Sequence, residues 1–121
     1  MEIFRELAFD AAHRLENLPD GHKCTRVHGH TYRVKVYVTG AVGESSGWVI
    51  DFAEINRLAK EVLDQLDHQM LNDIAGLEQP TVENITLWIW DRLKPSLPGL
   101  SKLTVWEGLG SGCTYRGQSA S

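Results

Sequence analysis

Strict alternation of apolar and polar residues runs twice through the first third of the chain and predicts two strands. From Ile3 to His13, the residues Ile3, Leu7, Phe9 and Ala11 fall on the same side as His13. A second run places His28, His30, Tyr32, Val34, Val36 and Val38 on one face, with Arg33, Lys35, Tyr37 and Thr39 on the other. Between them, Arg14 to Val27 has no period and carries Pro19-Asp20-Gly21. A stretch of that length without period marks a candidate active-site loop.

The period then changes from two to 3.6. After a Gly- and Ser-rich turn from Gly40 to Gly47, Trp48-Val49-Ile50 leads into Asp51, a helix cap with Glu54 three residues on. Phe52, Ile55, Leu58, Ala59, Val62, Leu63 and Leu66 keep helical spacing up to Asp67-His68. Pro80-Thr81 with Glu83 opens a second helix through Val82, Ile85, Trp88, Ile89 and Leu93, which Pro95 and Pro98 stop. Leu103 to Glu107 and Cys113 to Arg116 read as a hairpin, and the tail from Gln118 to Ser121 as disordered.

The order strand, strand, helix, helix, strand, strand predicts an α+β fold, ββααββ, with a four-stranded antiparallel sheet packed on two helices in one domain, 1–121. Four strands leave open edges, so pairing with other copies is expected. A net charge of −4 with scattered Lys and Arg provides no general field for nucleic acid or an anionic membrane. With no secretory pattern at the start and no membrane-length apolar run, the expected location is cytoplasmic. Cys24 and Cys113 match no zinc ribbon or disulfide framework and read as free thiols.

The chemistry gathers in four places. His28 and His30, two apart on one strand face with Gly29 between them, aim two imidazoles at one point while His13 arrives from the neighbouring strand. Three nitrogen ligands with a position left open are the set of a catalytic zinc site. Cys24, beside Lys23 and Arg26, could supply a thiolate base near such a cation, or could instead close a structural zinc site as its fourth ligand. Asp67-His68 is either a carboxylate-oriented acid or base, or a cation at a helix C-terminus. Glu107 shares parity with Leu103 and Val105, so it is either solvated at the strand end or a carboxylate facing a pocket, where it suits the ring N–H and amine of a pterin or guanine. Gly108-Leu109-Gly110-Ser111-Gly112 precedes a strand rather than a helix and is a hairpin loop, not a dinucleotide site. Asn84-Ile85-Thr86, a glycosylation-like triplet inside a helix, is accidental.

In the order His13, Cys24-x-x-x-His28-Gly29-His30, Asp67-His68, Pro80-Thr81-x-Glu83-Asn84 and Glu107, the chain resembles the 6-pyruvoyltetrahydropterin synthase family from its first strand to about Gly117. The three-residue gap between Cys24 and His28 favours the bacterial branch that forms 6-carboxy-5,6,7,8-tetrahydropterin in queuosine biosynthesis. The resemblance implies the tunnelling fold (T-fold), in which sheets join into a barrel between subunits, trimers pair into a homohexamer and active sites lie at subunit interfaces. It implies Zn2+ on His13, His28 and His30, and a small-molecule substrate, 7,8-dihydroneopterin triphosphate, cleaved with release of acetaldehyde and triphosphate. Cys24 matches the proton-abstracting cysteine, Asp67 and His68 the proton-relaying pair, and Glu107 the pterin anchor. Gly108 stands where relatives commonly have Thr, which removes one polar contact beside that anchor.

Overall fold

The computed structural model describes residues 1–117. Strands β1 (Glu2–His13) and β2 (His28–Thr39) are followed by helices α1 (Phe52–Leu63) and α2 (Val82–Leu93), then by β3 (Leu100–Glu107) and β4 (Ser111–Tyr115). All four strands pair antiparallel in the order β1-β2-β3-β4, so β1 and β4 are the two edges. The expected ββααββ order and α+β class are both found. The tail expected to be disordered, 118–121, lies outside the described residues.

Alternation decides which face meets the helices. Phe9, Ala11 and His13 of β1 and Tyr32, Val34, Val36 and Val38 of β2 are buried against α1 and α2, and Leu103 and Val105 of β3 continue the layer. The helices contribute Ile55, Ala59, Val62 and Leu63 from α1 and Ile85, Trp88, Ile89 and Leu93 from α2. Burying one such aliphatic or aromatic side chain is worth roughly 1.5–3 kcal/mol, so this single layer is the main source of stability. Phe52 departs from the helical reading: it stands in the first turn of α1 and is half exposed.

The opposite face of the sheet lies open. Its aromatic residues are covered by cations: Lys35 Nζ lies 4.3 Å from the Phe4 ring centroid, the Arg33 guanidinium 4.5 Å from Trp106 and Lys102 Nζ 4.0 Å from Tyr37. Among the described residues no helix is long and apolar enough to cross a membrane.

Both helix starts follow the capping signals. The Asp51 carboxylate accepts from the Ala53 N–H at 2.9 Å, and the Thr81 hydroxyl oxygen accepts from the Asn84 N–H at 3.1 Å. Thr81→Ala is expected to cost ~1 kcal/mol, read as a lower urea midpoint at unchanged slope, with Thr81→Ser keeping most of the loss back.

The helical pattern through Leu66 overreaches. Helix α1 ends at Leu63, and successive turns carry the chain to His68. From there the chain runs beside β1: the Ala12 N–H donates to the Gln69 carbonyl at 3.0 Å, and Ala12 and Met70 form an isolated parallel bridge.

Candidate functional site

Strand register builds the histidine cluster. His13 stands opposite His28, and Ala11 opposite His30, so the three imidazoles share the helix-facing side at one end of the sheet. Their ring centroids are 4.6, 5.1 and 4.9 Å apart, and one nitrogen of each lies within 4.8 Å of the others. His13 is 1% exposed, and its burial holds the ring below the ordinary imidazole value, towards the neutral form that binds metal.

Hydrogen bonds to backbone carbonyls fix two of the tautomers. His13 Nδ1–H donates to the Pro80 carbonyl at 2.8 Å, and His28 Nδ1–H donates to the Arg26 carbonyl at 2.7 Å. A carbonyl can only accept, so in the neutral rings both Nε2 atoms carry bare lone pairs. Those two nitrogens face each other at 3.0 Å, an arrangement that needs a proton or a cation between them. The third nitrogen, His30 Nε2, is buried without a hydrogen-bond partner. Two lone pairs pointed at each other and one orphan nitrogen beside them fit a divalent metal bound by three imidazoles, with carbonyls orienting the ligands from behind.

Glu107 ends the β3 row opposite Tyr32, and its Oε1 lies 3.6 Å from His30 Nε2. Its carboxylate is therefore not left in solvent but borders the cluster. Tyr32 lies beneath: fully buried, stacked on Phe9, with its hydroxyl 3.3 Å from His13 Nδ1. Burial, with a smaller contribution from Glu107, pushes this phenol far above its ordinary range, so it stays a neutral part of the floor.

Cys24 sits in a short 3-10 turn, Lys23–Thr25, within the loop before β2. Its N–H donates to His22 Nδ1 at 3.1 Å and its carbonyl accepts from the Leu15 N–H at 2.7 Å. Among the described residues the metal-competent groups are His13 with His28 and His30, and Asp10 with Asp67 and His68; Cys24 belongs to neither. The reading of Cys24 as a fourth ligand thus finds no support in the geometry. His22 acts as a cap and Cys113 as a half-buried thiol bonded to Thr86 at 3.0 Å.

Asp67 and His68 form a pair, with Asp67 Oδ2 2.9 Å from His68 Nδ1. They stand beyond the end of α1, so the helix-dipole reading does not apply; what holds them is β1. The Asp10 N–H donates to Asp67 Oδ1 at 3.0 Å, and the His68 N–H donates to the Asp10 carbonyl at 2.6 Å. His68 takes a left-handed backbone, φ 59°, unusual for a residue with a side chain, and its ring is 78% exposed. The Asp10 N–H and then His68 hold the Asp67 carboxyl below its usual range, and the Asp67 bond raises the His68 ring above that of a free imidazole.

A cleft of about 580 Å³ runs between β1, β2 and the segment after His68, bordered by Asp10, Gly29, His30, Thr31, His68 and Met70. A Cβ at Gly29 would meet the Ala11 carbonyl at 3.5 Å, an ordinary contact, so the chain's own packing does not demand glycine there. Asp10 and Thr31 lie in the outward rows of β1 and β2 and face each other across the pair, whereas Tyr32 lies in the core row, as alternation predicts. No sequence signal marked Asp10 beyond its being a carboxylate inside a strand, where Asp is disfavoured.

A relative in Synechocystis named 6-carboxy-5,6,7,8-tetrahydropterin synthase is 40% identical over 119 residues, covering 93% of this chain and 91% of that one. A relative in Pyrococcus furiosus named dihydroneopterin monophosphate aldolase is 38% identical over 109 residues, covering 88% and 89%. The solved structure of Caenorhabditis elegans 6-pyruvoyl tetrahydropterin synthase superposes with a TM-score of 0.88 at 33% identity, covering 98% of this chain and 96% of that one. The family model described as 6-pyruvoyl tetrahydropterin synthase matches residues 2–118, end to end through the sheet, the histidine cluster and Glu107, and the chain belongs to that family.

Proposed function

We propose that the protein is a zinc-dependent carbon-carbon lyase that converts 7,8-dihydroneopterin triphosphate to 6-carboxy-5,6,7,8-tetrahydropterin, releasing acetaldehyde and triphosphate. The observation that carries the reading is the bare-nitrogen cluster of His13, His28 and His30 beside the Glu107 carboxylate. The 40% identical relative of that name and the short gap between Cys24 and His28 support the product.

Zn2+ held by the three imidazoles supplies Lewis acidity towards the hydroxyl oxygens of the substrate side chain. The chain's own groups do the rest. Glu107, an acceptor only when ionised, receives the ring N–H and exocyclic amine of the pterin and so orients it. Cys24 removes a proton as the thiolate, and His68, oriented by Asp67, gives one up from its ring. The Pro80 and Arg26 carbonyls keep the ligand nitrogens unprotonated towards the cluster.

These roles divide between subunits. The Asp10 side chain belongs to the strand row opposite that of His13, and Asp67-His68 dock on Asp10. The pair thus serves the cluster and Cys24 of a neighbouring copy, which fits the open edges at β1 and β4 and the family's barrel of joined sheets. Trimers pairing into a hexamer, and a cytoplasmic location, belong to the same reading.

The experiment is incubation of zinc-loaded protein with 7,8-dihydroneopterin triphosphate, with mass analysis of the pterin and an acetaldehyde assay. The expected result is the carboxy product with acetaldehyde. A pterin that keeps its three-carbon side chain would assign the pyruvoyl branch instead. The Pyrococcus furiosus relative motivates a second reading, an aldolase, which turnover of dihydroneopterin monophosphate in preference to the triphosphate would favour.

A further inference from the structure

Asp10 is neither a member of the histidine cluster nor one of the residues read as proton carriers, yet its main chain bonds to the proton-carrying pair and its carboxylate lies close beside it. Its N–H donates to Asp67 Oδ1, and its carbonyl accepts from the His68 N–H. Its carboxylate receives the Thr31 hydroxyl, and the ligating atoms of Asp10, Asp67 and His68 all lie within 4.8 Å of one another. We propose that Asp10 is a positioning residue for His68: its main chain seats the Asp67-His68 pair, and its carboxylate, aimed by Thr31, joins Asp67 in holding the ring as an imidazolium and makes His68 the proton donor. This rests on reading the pair as the proton-transfer element of the lyase.

The two halves of the device have separate causes. The main-chain bonds hold His68 in a left-handed conformation that a side-chain-bearing residue does not adopt unaided. They fix where the ring starts, whatever side chain stands at position 10. The carboxylate acts through charge. Asp67 already spends one oxygen on the Asp10 N–H and the other on the His68 ring, so a second negative group from β1 completes the field around the imidazole.

Aspartate is disfavoured inside a strand, and this one lies on the outward side with no packing role. The charged groups facing His68 are Asp67 beside it and Asp10 from β1, with Lys60 of α1 acting on Asp67, while His30 of β2 borders the same cleft. Both carboxylates favour the charged ring, Asp67 first. The imidazolium is therefore full at low pH and is lost only as pH rises through the raised value, so a donor role ends on the alkaline side.

Three variants test this. Asp10→Asn removes the charge but keeps the shape and both main-chain bonds; Thr31→Val frees the carboxylate; Glu6→Gln removes a carboxylate further along the same row as a control. The readouts are an NMR titration of the His68 ring in the zinc-loaded protein and the pH dependence of kcat. Asp10→Asn is expected to move the ring titration and the alkaline limb of kcat to lower pH. At neutral pH it should lower kcat about two- to fivefold with KM within about a factor of two. Thr31→Val should move both in the same direction by less, and Glu6→Gln should move neither.

A His68 titration in Asp10→Asn that superimposes on the wild type would overturn the proposal. If Asp10→Asn does not fold, Thr31→Val, which leaves every main-chain bond in place, decides in the same way. The titration needs no turnover, so wild-type protein that never converts the triphosphate defeats the functional reading, whereas wild-type turnover with an unmoved Asp10→Asn defeats this inference alone.

Discussion

Replacing His28 with alanine is expected to strip the protein of its metal and its activity while leaving the fold in place. His28 is only half buried, at the end of β2, and its ring bonds to one carbonyl, so the core below loses little. What changes is the set of lone pairs. Two nitrogens remain, on His13 and His30, and neither can complete a three-ligand site. Loss of an outer-shell partner of a metal ligand already costs 10–100-fold in affinity, so loss of the ligand itself should cost at least roughly 10³-fold.

Turnover should fall by about the same factor, because Lewis-acid stabilisation supplies several kcal/mol. Chelation of the wild type should give the same loss, reversed by added Zn2+. The measurements are metal content after dialysis, pterin turnover, and a urea unfolding curve of the metal-free forms. A His28→Ala protein that keeps stoichiometric zinc would remove the cluster from the account.

His68→Ala is expected to be the opposite kind of variant: full of metal and catalytically poor. The His68 ring lies outside the cluster and is largely exposed, so zinc content should match the wild type. Removing a general acid costs about 10²–10⁴ in kcat. If Asp67-His68, docked on the Asp10 row of β1 opposite to that of His13, serve the cluster of a neighbouring copy as proposed, two inactive variants should complement each other. Mixed assemblies of Cys24→Ala and His68→Ala subunits contain some sites with both groups intact and should regain part of the activity. Mixtures that stay as inactive as their components would place all the proton carriers within a single subunit.

Period-two alternation carried the histidine cluster legibly, because a strand leaves little freedom: once His13 and the His28-Gly29-His30 run are on core-facing rows, pairing β1 with β2 brings them together. The register, His13 against His28, was not in the pattern, since every even slip preserves the faces. Glu107 was legible for the same reason, parity with Leu103 and Val105. The Asp67-His68 surroundings were not. Apolar spacing continues through Leu66, and only the turns after Leu63 send the pair to β1 rather than to a helix end. The Pro80 carbonyl and the Asp10 N–H and carbonyl act through main-chain atoms, which a pattern of side chains cannot register.

The bridge between Ala12 and Met70 bears on how copies can join. Along β1, alternate residues turn their N–H and carbonyl groups away from β2, and two of these, Asp10 and Ala12, are already engaged by the chain's own 67–70 segment. In the proposed assembly, a strand of another copy pairing along β1 would find its outward groups free only as far as Ala8, because the home chain occupies those of Asp10 and Ala12. The length of such a contact would then be set within each monomer, with its stop beside the residues that hold His68.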